Sequence, residues 1–282
     1  MALNSIQLFV VIALLGISNA ALAKNNNEPV SNQQIELGFG AFAVSLPDYV
    51  GSDQQTNYLV PFPYFYYRDE HFRIDRQGLQ RDIGNKNNWY LDISASTAIP
   101  VDSDDNKARQ GMPDLDWNFG LGPSVKYYFL GHPDAANYLA SEWYFQKGFA
   151  TDFRSIDDIG WQYGLKIIHQ NQYNLSNMGD IRLQTRLNFS FATDKHLNYI
   201  YGVKPEYQTK VRKSFQADSG YAGLSLSFGG IWRYKNYWFS GFISSSQISH
   251  SKQENSSLVD TKINHSVGVG FSWIFYQQGN RK

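Results

Sequence analysis

Carboxylates are concentrated in one polar segment, residues 100–116, at a density that could bind a cation. The segment does not follow the EF-hand pattern. When Asp102 is taken as the first residue of the loop, the required glycine and closing glutamate fall on Lys107 and Pro113. A looser calcium site would use Asp102, Asp104, Asp114 or Asp116. The alternative is a solvated polar loop, and the sequence predicts no metal ion or other cofactor.

His250 lies near several serines, and these residue types could form the base and nucleophile of a hydrolase. No orienting carboxylate stands at a defined spacing, and the G-x-S-x-G motif of a nucleophile elbow is absent from the sequence. Cysteine is also absent, which excludes a thiolate nucleophile and disulfides. The sequence therefore predicts that the protein is not an enzyme, with its histidines at the rim of a sheet.

Basic residues share a face in the clearest strand patterns. In residues 180–191, apolar residues occupy one face, while Arg182 and Arg186 lie on the other. Lys126 takes the same kind of polar position in residues 117–129. A further run, 266–275, alternates aromatic or branched residues with serine and glycine. This period of two is typical of strands that have one apolar and one polar face.

Strand length separates a membrane barrel from a soluble sandwich, since alternation fits both. Soluble strands have about five or six residues, whereas membrane strands need roughly nine to eleven, and many runs here are that long. Aromatic residues make up 16% of the chain, and the mean hydropathy is negative. A barrel accommodates both properties, because only every second residue faces lipid and its rims carry aromatic rings. Helical membrane spans need about 20 consecutive apolar residues and are excluded.

The sequence thus predicts an all-β fold, a transmembrane antiparallel up-and-down β-barrel of about twelve strands. The predicted strands are 34–46, 56–67, 70–76, 78–83, 88–99, 117–130, 137–151, 158–170, 180–193, 219–231, 236–248 and 261–276. A hairpin between Asp75 and Gly78 gives the even count typical of single-chain bacterial barrels, and about ten strands is the alternative. Pro61 and Pro63 lack ladder donors and belong at a strand end, an edge or a bulge.

The connections predict an orientation. The long ones, 100–116, 194–218 and 249–260, fall at one end and are expected outside the cell, and the short ones fall at the periplasmic end. Lys126, Arg182 and Arg186 are the candidate lumen-lining residues, with Glu142 as a further possibility. They either line a selective pore or form pairs that fill a closed interior, and a narrow or filled lumen is favoured.

The N-terminal region predicts export. Residues 6–17 are apolar, and Ala21-Leu22-Ala23 resembles a cleavage site, so residues 1–23 are expected to be a signal peptide; a membrane anchor is the alternative. Residues 24–33 are expected to be a flexible segment, 34–276 the barrel and 277–282 a tail. Basic and acidic residues are equal in number, at 25 each, which argues against a nucleic-acid partner.

Short motifs follow one another in a fixed order along most of the chain. They are PDYVGS at 47–52, PFPY at 61–64, PVDSDDN at 100–106, AR at 108–109, GMPDLD at 111–116, LGP at 121–123 and YGV at 201–203. Together they resemble the MipA/OmpV family of Gram-negative outer-membrane proteins. The family-motif loop 100–116 contributes Asp102, Asp104, Asp105, Arg109, Asp114 and Asp116. The chain departs from the family pattern at 243–250.

The resemblance implies a protein of the Gram-negative outer membrane, in contact with its lipid. It also implies a non-enzymatic scaffold in cell-wall growth, with a lytic transglycosylase and a bifunctional murein synthase as partners. No catalytic residue is carried over from the family. The polar strand faces leave a second interpretation open, a narrow pore or uptake channel for small solutes.

Overall fold

A computed structural model describes residues 34–68, 73–75, 78–80, 88–133 and 135–278. The predicted signal peptide and flexible segment lie outside the described residues. The last strand extends to Gln278, so the first two residues of the predicted tail belong to the sheet. In the described part of the chain, no helix has the length and apolar character needed to cross a membrane.

Strands dominate the described residues, and every pairing between them is antiparallel. In chain order, the strands β1 to β12 are Gln34–Pro47, Gln55–Arg68, Arg73–Asp75, Gly78–Gln80, Trp89–Ala98, Trp117–Leu130, Tyr138–Thr151, Ile156–Asn174, Asp180–Ala192, Gly220–Tyr234, Tyr237–Gln247 and Ile263–Gln278. One α-helix, α1, spans Asp194–Tyr201, and short 3-10 helices occupy Ser176–Met178 and Pro205–Tyr207.

The predicted count of about twelve is corrected to ten long strands, because β3 and β4 have only three residues each. Within the predicted strands 70–76 and 78–83, the described residues are the two short elements Arg73–Asp75 and Gly78–Gln80. The sequence is rich in charged residues between 68 and 82 and lacks the apolar face of roughly nine to eleven residues that a membrane strand needs. The alternative count of ten describes the long strands correctly.

The ten long strands form one continuous up-and-down sheet, in which β1 pairs with both β2 and β12. Its two edges are β2 and β5, and the order of pairing passes from one to the other through β3 and β4. Among the described residues, the pairs at this seam are those of Tyr67 and Arg68 with β3 and of Gln80 with Asp92.

Two prolines help to place the seam at β2. Pro61 and Pro63 lie inside this strand and face Ala41 and Phe39 of β1. Because proline has no N–H to donate, it fits a strand only where one side is left without a full ladder. Of the three predicted settings, a strand end, an edge or a bulge, the edge agrees best with the described pairs, since β2 pairs with β3 there at Tyr67 and Arg68 and the prolines face β1.

The sheet has its apolar face outward and its polar face buried. In β12, Val267, Val269 and Phe271 are exposed, Val269 to 60%, whereas Ser272 is completely buried. In β7, Trp143 and Phe145 are exposed, and the intervening Glu142, Tyr144 and Gln146 are buried. The predicted alternation is confirmed, and its sense is the reverse of a soluble sheet, which buries its apolar face.

Glycines on the buried face let aromatic rings lie against the wall. A Cβ at Gly268 or Gly270 would fall within 3 Å of the Phe42 ring, and one at Gly40 would meet Phe62 at 2.7 Å. The Phe42 ring stacks on Phe242, with centroids 6.3 Å apart. The glycines therefore leave room for an aromatic cluster on β1, β2 and β11.

The long connections meet at one end of the barrel and build a packed cap. The Tyr49 hydroxyl donates to the Leu258 carbonyl, and that of Tyr201 donates to the Val50 carbonyl. Arg212 reaches the Ala108 carbonyl at 2.9 Å. These contacts confirm that 100–116, 194–218 and 249–260 share one end. The apolar core of the cap consists of Tyr49, Val101, Leu115, Ala192, Leu197, Tyr201, Val203, Ala217 and Leu258.

Candidate functional site

A chain of ion pairs crosses the buried face from β5 to β8. Lys126 Nζ lies 2.6 Å from Asp92 Oδ2 and 3.7 Å from Glu142 Oε2. Glu142 Oε1 in turn accepts from Lys166 Nζ at 2.6 Å. All except the half-buried Lys166 are buried, and charges that leave water need partners at this range. We call these four residues the ionic chain.

Strand register explains why these residues meet. Lys126 lies directly opposite Glu142 across β6 and β7, and Glu142 lies opposite Lys166 across β7 and β8. Directly opposed residues in an antiparallel pair have Cβ atoms about 4.5–5.5 Å apart, which long charged side chains span easily. One residue of slip in either pairing would move the partner to the outer face of the sheet.

Uncharged side chains extend the ionic chain into a wider network. Gln146 donates to Ser94 Oγ at 2.7 Å, and its own oxygen accepts from Ser96 at 2.9 Å. Lys166 also lies 4.4 Å from the centroid of the Tyr144 ring. The network holds the inner sides of β5, β7 and β8 together and fills this part of the interior.

The three predicted lumen-lining residues all lie on the inner face, in different surroundings. Lys126 sits in the ionic chain. Arg186 donates to Gln184 Oε1 at 2.8 Å, and Arg182 donates to Gln172 Oε1 at 3.4 Å. Both arginines are half-buried. The structure therefore separates an acid-paired lysine from two arginines that contact amides.

Asp92 and Lys166 of the ionic chain are absent from the sequence prediction. Both occupy polar positions of an alternating strand, which is the signal that would have found them. A second ion pair was missed for a different reason. Arg233 of β10 reaches Glu36 of β1 through two hydrogen bonds, at 2.7 and 3.0 Å, over a separation of 197 residues. No local pattern encodes a contact of that range.

Arg109 organises the family-motif loop from inside the cap. Its guanidinium donates to Ser103 Oγ, to the Pro113 carbonyl and to the Ile200 carbonyl of α1. Burial lowers the pKa of Arg109 from its ordinary value. Arginine has five donors in a fixed fork, and here three bonds tie two ends of one loop to a neighbouring helix. Arg109 is therefore a positioning residue of the cap.

The aspartates of the loop bind their own backbone. Asp102 accepts from the Asp104 N–H, Asp104 from the Gly111 N–H, and Asp114 from the Ser103 N–H. Burial, together with nearby carboxylates, raises the pKa of Asp116. Among the described residues, no group of three or more histidine, aspartate or glutamate side chains is placed to hold a metal ion. The carboxylates stabilise turns, which accounts for their density without a ligand.

His250 lies in a cap turn with a positive φ of 62°. A carboxylate does lie beside it, since Glu254 Oε2 accepts from the His250 backbone N–H at 2.8 Å and lies 3.3 Å from Lys262 Nζ. The contact involves the backbone of His250 and leaves its ring out. Glu254 therefore acts in the turn, and its hydrogen bonds lower the pKa of its carboxyl.

A cleft of about 640 Å³ opens on the cap between the family-motif loop and residues 198–216. Met112, Tyr199 and Phe215 supply apolar walls, and Lys204 adds a charge at the surface. Burial raises the pKa of Tyr199 to about 12, so its hydroxyl keeps its proton, and its oxygen accepts from the Asp116 N–H at 2.9 Å. The cleft is a surface feature of the cap, outside the barrel interior.

Distant likenesses to solved structures cover nearly the whole chain. One is titled "CymD monoaromatic hydrocarbon channel", with 8% identity and a TM-score of 0.29, covering 98% of this chain and 94% of that one. Another is titled "Crystal structure of a Pseudomonas aeruginosa FadL homologue", with 8% identity and a TM-score of 0.27, covering 86% and 90%. No curated protein matches the sequence.

The comparison with protein families gives a match along most of the chain. The sequence matches the family described as MltA-interacting protein MipA over residues 39–275, from the first strand to the last. That range includes the ionic chain, the family-motif loop and the whole cap. The chain therefore belongs to the MipA (MltA-interacting protein) family.

Proposed function

We propose that the protein resides in the outer membrane of a Gram-negative bacterium, as a barrel whose outer face contacts lipid. The observation that carries this proposal is the reversed polarity of the sheet. Leu59 is 71% exposed and Val269 60%, while Glu142 and Ser272 are buried. Soluble monomers rarely expose apolar patches larger than a few hundred Å². A lipid environment makes this arrangement favourable, because each apolar residue then avoids water.

Aromatic residues at both ends of the strands support the same conclusion. Near the cap, Phe145 stacks on Trp161 with centroids 4.5 Å apart. Toward the other end, Trp232 stacks on Phe239 at 5.1 Å, and Trp89 lies 4.8 Å from Tyr127. Aromatic girdles at the two interfaces are typical of outer-membrane barrels.

Envelope fractionation tests the location. The full chain is expected to sediment with the outer membrane and to resist extraction by high salt. Its folded form should migrate differently from the heated form on a gel. Recovery in the soluble periplasmic fraction would contradict the proposal.

The cap is proposed to face the cell exterior, with the short turns toward the periplasm. Since the chain has no native cysteine, single cysteines report each side cleanly. Val211→Cys, at an 88% exposed cap position, is expected to react with a membrane-impermeant maleimide on intact cells. Met178→Cys, which is 58% exposed at the opposite end, is the matched control and should react only after the outer membrane is opened. The reverse labelling pattern would overturn the orientation.

We infer that the protein is a non-enzymatic scaffold that links a lytic transglycosylase and a bifunctional murein synthase in cell-wall growth. The lytic transglycosylase finds support in the family name, which denotes an MltA-interacting protein. The packed cap agrees with a structural role, because buried side chains and backbone contacts occupy the end where a wide channel would open. The synthase rests on the family resemblance alone.

Co-purification tests the scaffold. The tagged wild-type chain should bring down both enzymes from solubilised envelopes. Met178→Glu places a charge on the turn end that faces them and is expected to weaken capture at least several-fold. Val211→Glu in the cap is the matched control and should leave capture unchanged. Recovery of neither enzyme with the wild-type chain would contradict the proposal.

The polar interior favours a second candidate function, a narrow pore for small solutes. The half-buried Arg182 and Arg186 and the ionic chain present charge to the interior, as the wall of a selective pore does. Planar-bilayer recordings with the purified chain test it. Single-channel steps that change with Arg182→Gln would support the pore, and a silent membrane would exclude it.

A further inference from the structure

The inner face carries more positive than negative charge on β5 to β9. The ionic chain is balanced, since Asp92 and Glu142 match Lys126 and Lys166. Arg182 and Arg186 of β9 come in addition to it. In the part of the chain that the structure describes, neither arginine forms an ion pair. Neither guanidinium therefore has a described carboxylate at ion-pair distance, and Arg186 has only a longer-range attraction to Glu142.

Two carboxylates on the strands around the arginines are engaged elsewhere. Asp180, two residues before Arg182, accepts from Asn174 Nδ2 at 2.8 Å in the turn. Glu142 of β7 is bonded to Lys166 at 2.6 Å. Neither carboxylate is within ion-pair distance of Arg182 or Arg186.

The two arginines lie on the same face of β9, with Gln184 between them. In the register with β8, Gln172 lies opposite Arg182, and Gln170 lies opposite Gln184. Gln184 Oε1 and Gln172 Oε1 each accept from one arginine. An amide neutralises no charge, so it orients the guanidinium groups and leaves them able to bind an anion.

Among the described residues, one buried donor of this surface, Nε of Arg186, has no hydrogen-bond partner. An unsatisfied buried donor costs about 1–3 kcal/mol in a folded protein. The unsatisfied donor lies beside two guanidinium groups that form no ion pair. This arrangement favours a hydrogen-bond acceptor that is not part of the chain.

We propose that Arg182 and Arg186 form a binding site for a small oxyanion, a carboxylate or a phosphate, on the inner wall of the barrel. The planar guanidinium fork matches two oxygens of either group. Arg186 would donate from Nε and Arg182 from its free N–H groups, while the glutamines hold both side chains in place. This binding does not depend on conduction or on the scaffold function.

Isothermal titration of the full chain in detergent micelles tests the site, with inorganic phosphate and acetate as separate probes at constant ionic strength. Wild-type protein should give saturable heat with at least one of them, and the comparison shows which oxyanion is preferred. Arg182→Gln/Arg186→Gln should weaken that binding at least tenfold. Arg154→Gln, in the exposed β7–β8 turn, is the matched control and should bind as the wild type does.

A charge-preserving variant guards against a folding defect. Arg182→Lys/Arg186→Lys keeps both charges and loses the fork, so it should bind more weakly than the wild type and more tightly than the glutamine pair. Heat-modified gel mobility reports whether each variant is folded. Absence of saturable heat with both probes in the wild type would overturn the proposal, as would equal affinity in the wild type and a folded glutamine pair.

Discussion

The cap and the barrel wall use the same apolar residue types in opposite ways. Leu258 lies in the cap and is completely buried, whereas Leu226 lies on β10 and is 51% exposed. In the cap, apolar side chains form a core, and charged ones such as Lys210 and Lys213 face outward. In the wall, the ion pairs are inside and the leucines outside. With the proposed membrane location, one chain folds against two solvents, water around the cap and lipid around the wall.

This difference in the exposure of apolar residues indicates which interactions stabilise each region. The cap is held by apolar burial, supplemented by bonds such as those of Arg109. The wall is held by its ladder of backbone bonds and by inner networks such as the ionic chain, since lipid offers no drive to bury apolar residues inward. Substitutions of one type should thus have unequal effects in the two regions.

The largest effect is expected from Glu142→Gln in the wall. The change leaves Lys166 without its 2.6 Å partner and removes one partner of Lys126. Removing one member of a buried pair costs about 3–5 kcal/mol. Denaturant unfolding of the chain in lipid vesicles, followed by tryptophan fluorescence, measures the change. Glu206→Gln on the cap surface is the control, and an equal loss in both variants would contradict the assignment.

Leu258→Ala in the cap should come next. It empties a fully buried site, at a cost of about 2–5 kcal/mol to the cap. Leu226→Ala is the matched substitution in the wall and leaves no cavity, because lipid fills the space; its cost should be about 1 kcal/mol. Hydrogen exchange of the cap amides measures the first, and vesicle unfolding measures the second. An equal loss of stability in the two variants would contradict the difference between the cap and the wall.

The third prediction concerns pH and the cap. Burial lowers the pKa of His196 from 6.5 to about 4, and its Nδ1 has no partner. The unfolded cap binds the proton more readily, so stability is full above pH 6.5 and falls as the pH drops toward 4, by about 3 kcal/mol. Cap amide exchange across this range measures it. His196→Phe should flatten the profile, whereas exposed His250→Gln should not; an unchanged profile in His196→Phe would refute the role.

The smallest effect is expected from Tyr201→Phe. The substitution removes the hydroxyl that donates to the Val50 carbonyl at 2.7 Å while keeping the ring in the core. Loss of one such hydrogen bond should lower the stability of the cap by about 1 kcal/mol. The stability of the barrel should not change. Amide exchange near the β1–β2 connection measures this. A loss of barrel stability in the same variant would show that the two regions are coupled.

Much of the wall could be predicted from the sequence, because a strand period of two is local. The faces of β6, β9 and β12 follow directly from alternation, as do the inward positions of Lys126, Arg182 and Arg186. The count failed between β2 and β5, where the sequence is rich in charged residues, a feature that alternation alone does not measure. The aspartate-rich loop was correctly placed at the cap end, but its role as a turn-forming segment required the hydrogen bonds.

The sequence by itself determined the sheet, its two faces and the end at which the long loops lie, since each depends on residues close together in the chain. Only the tertiary structure decided which inner residues meet. Glu36 and Arg233 pair across 197 residues, and the ionic chain depends on the register of four strands. Likewise, only the positions of the described neighbours show that Arg182 and Arg186 form no ion pair. The physical reason is that charge balance depends on distances in space, which sequence spacing does not fix.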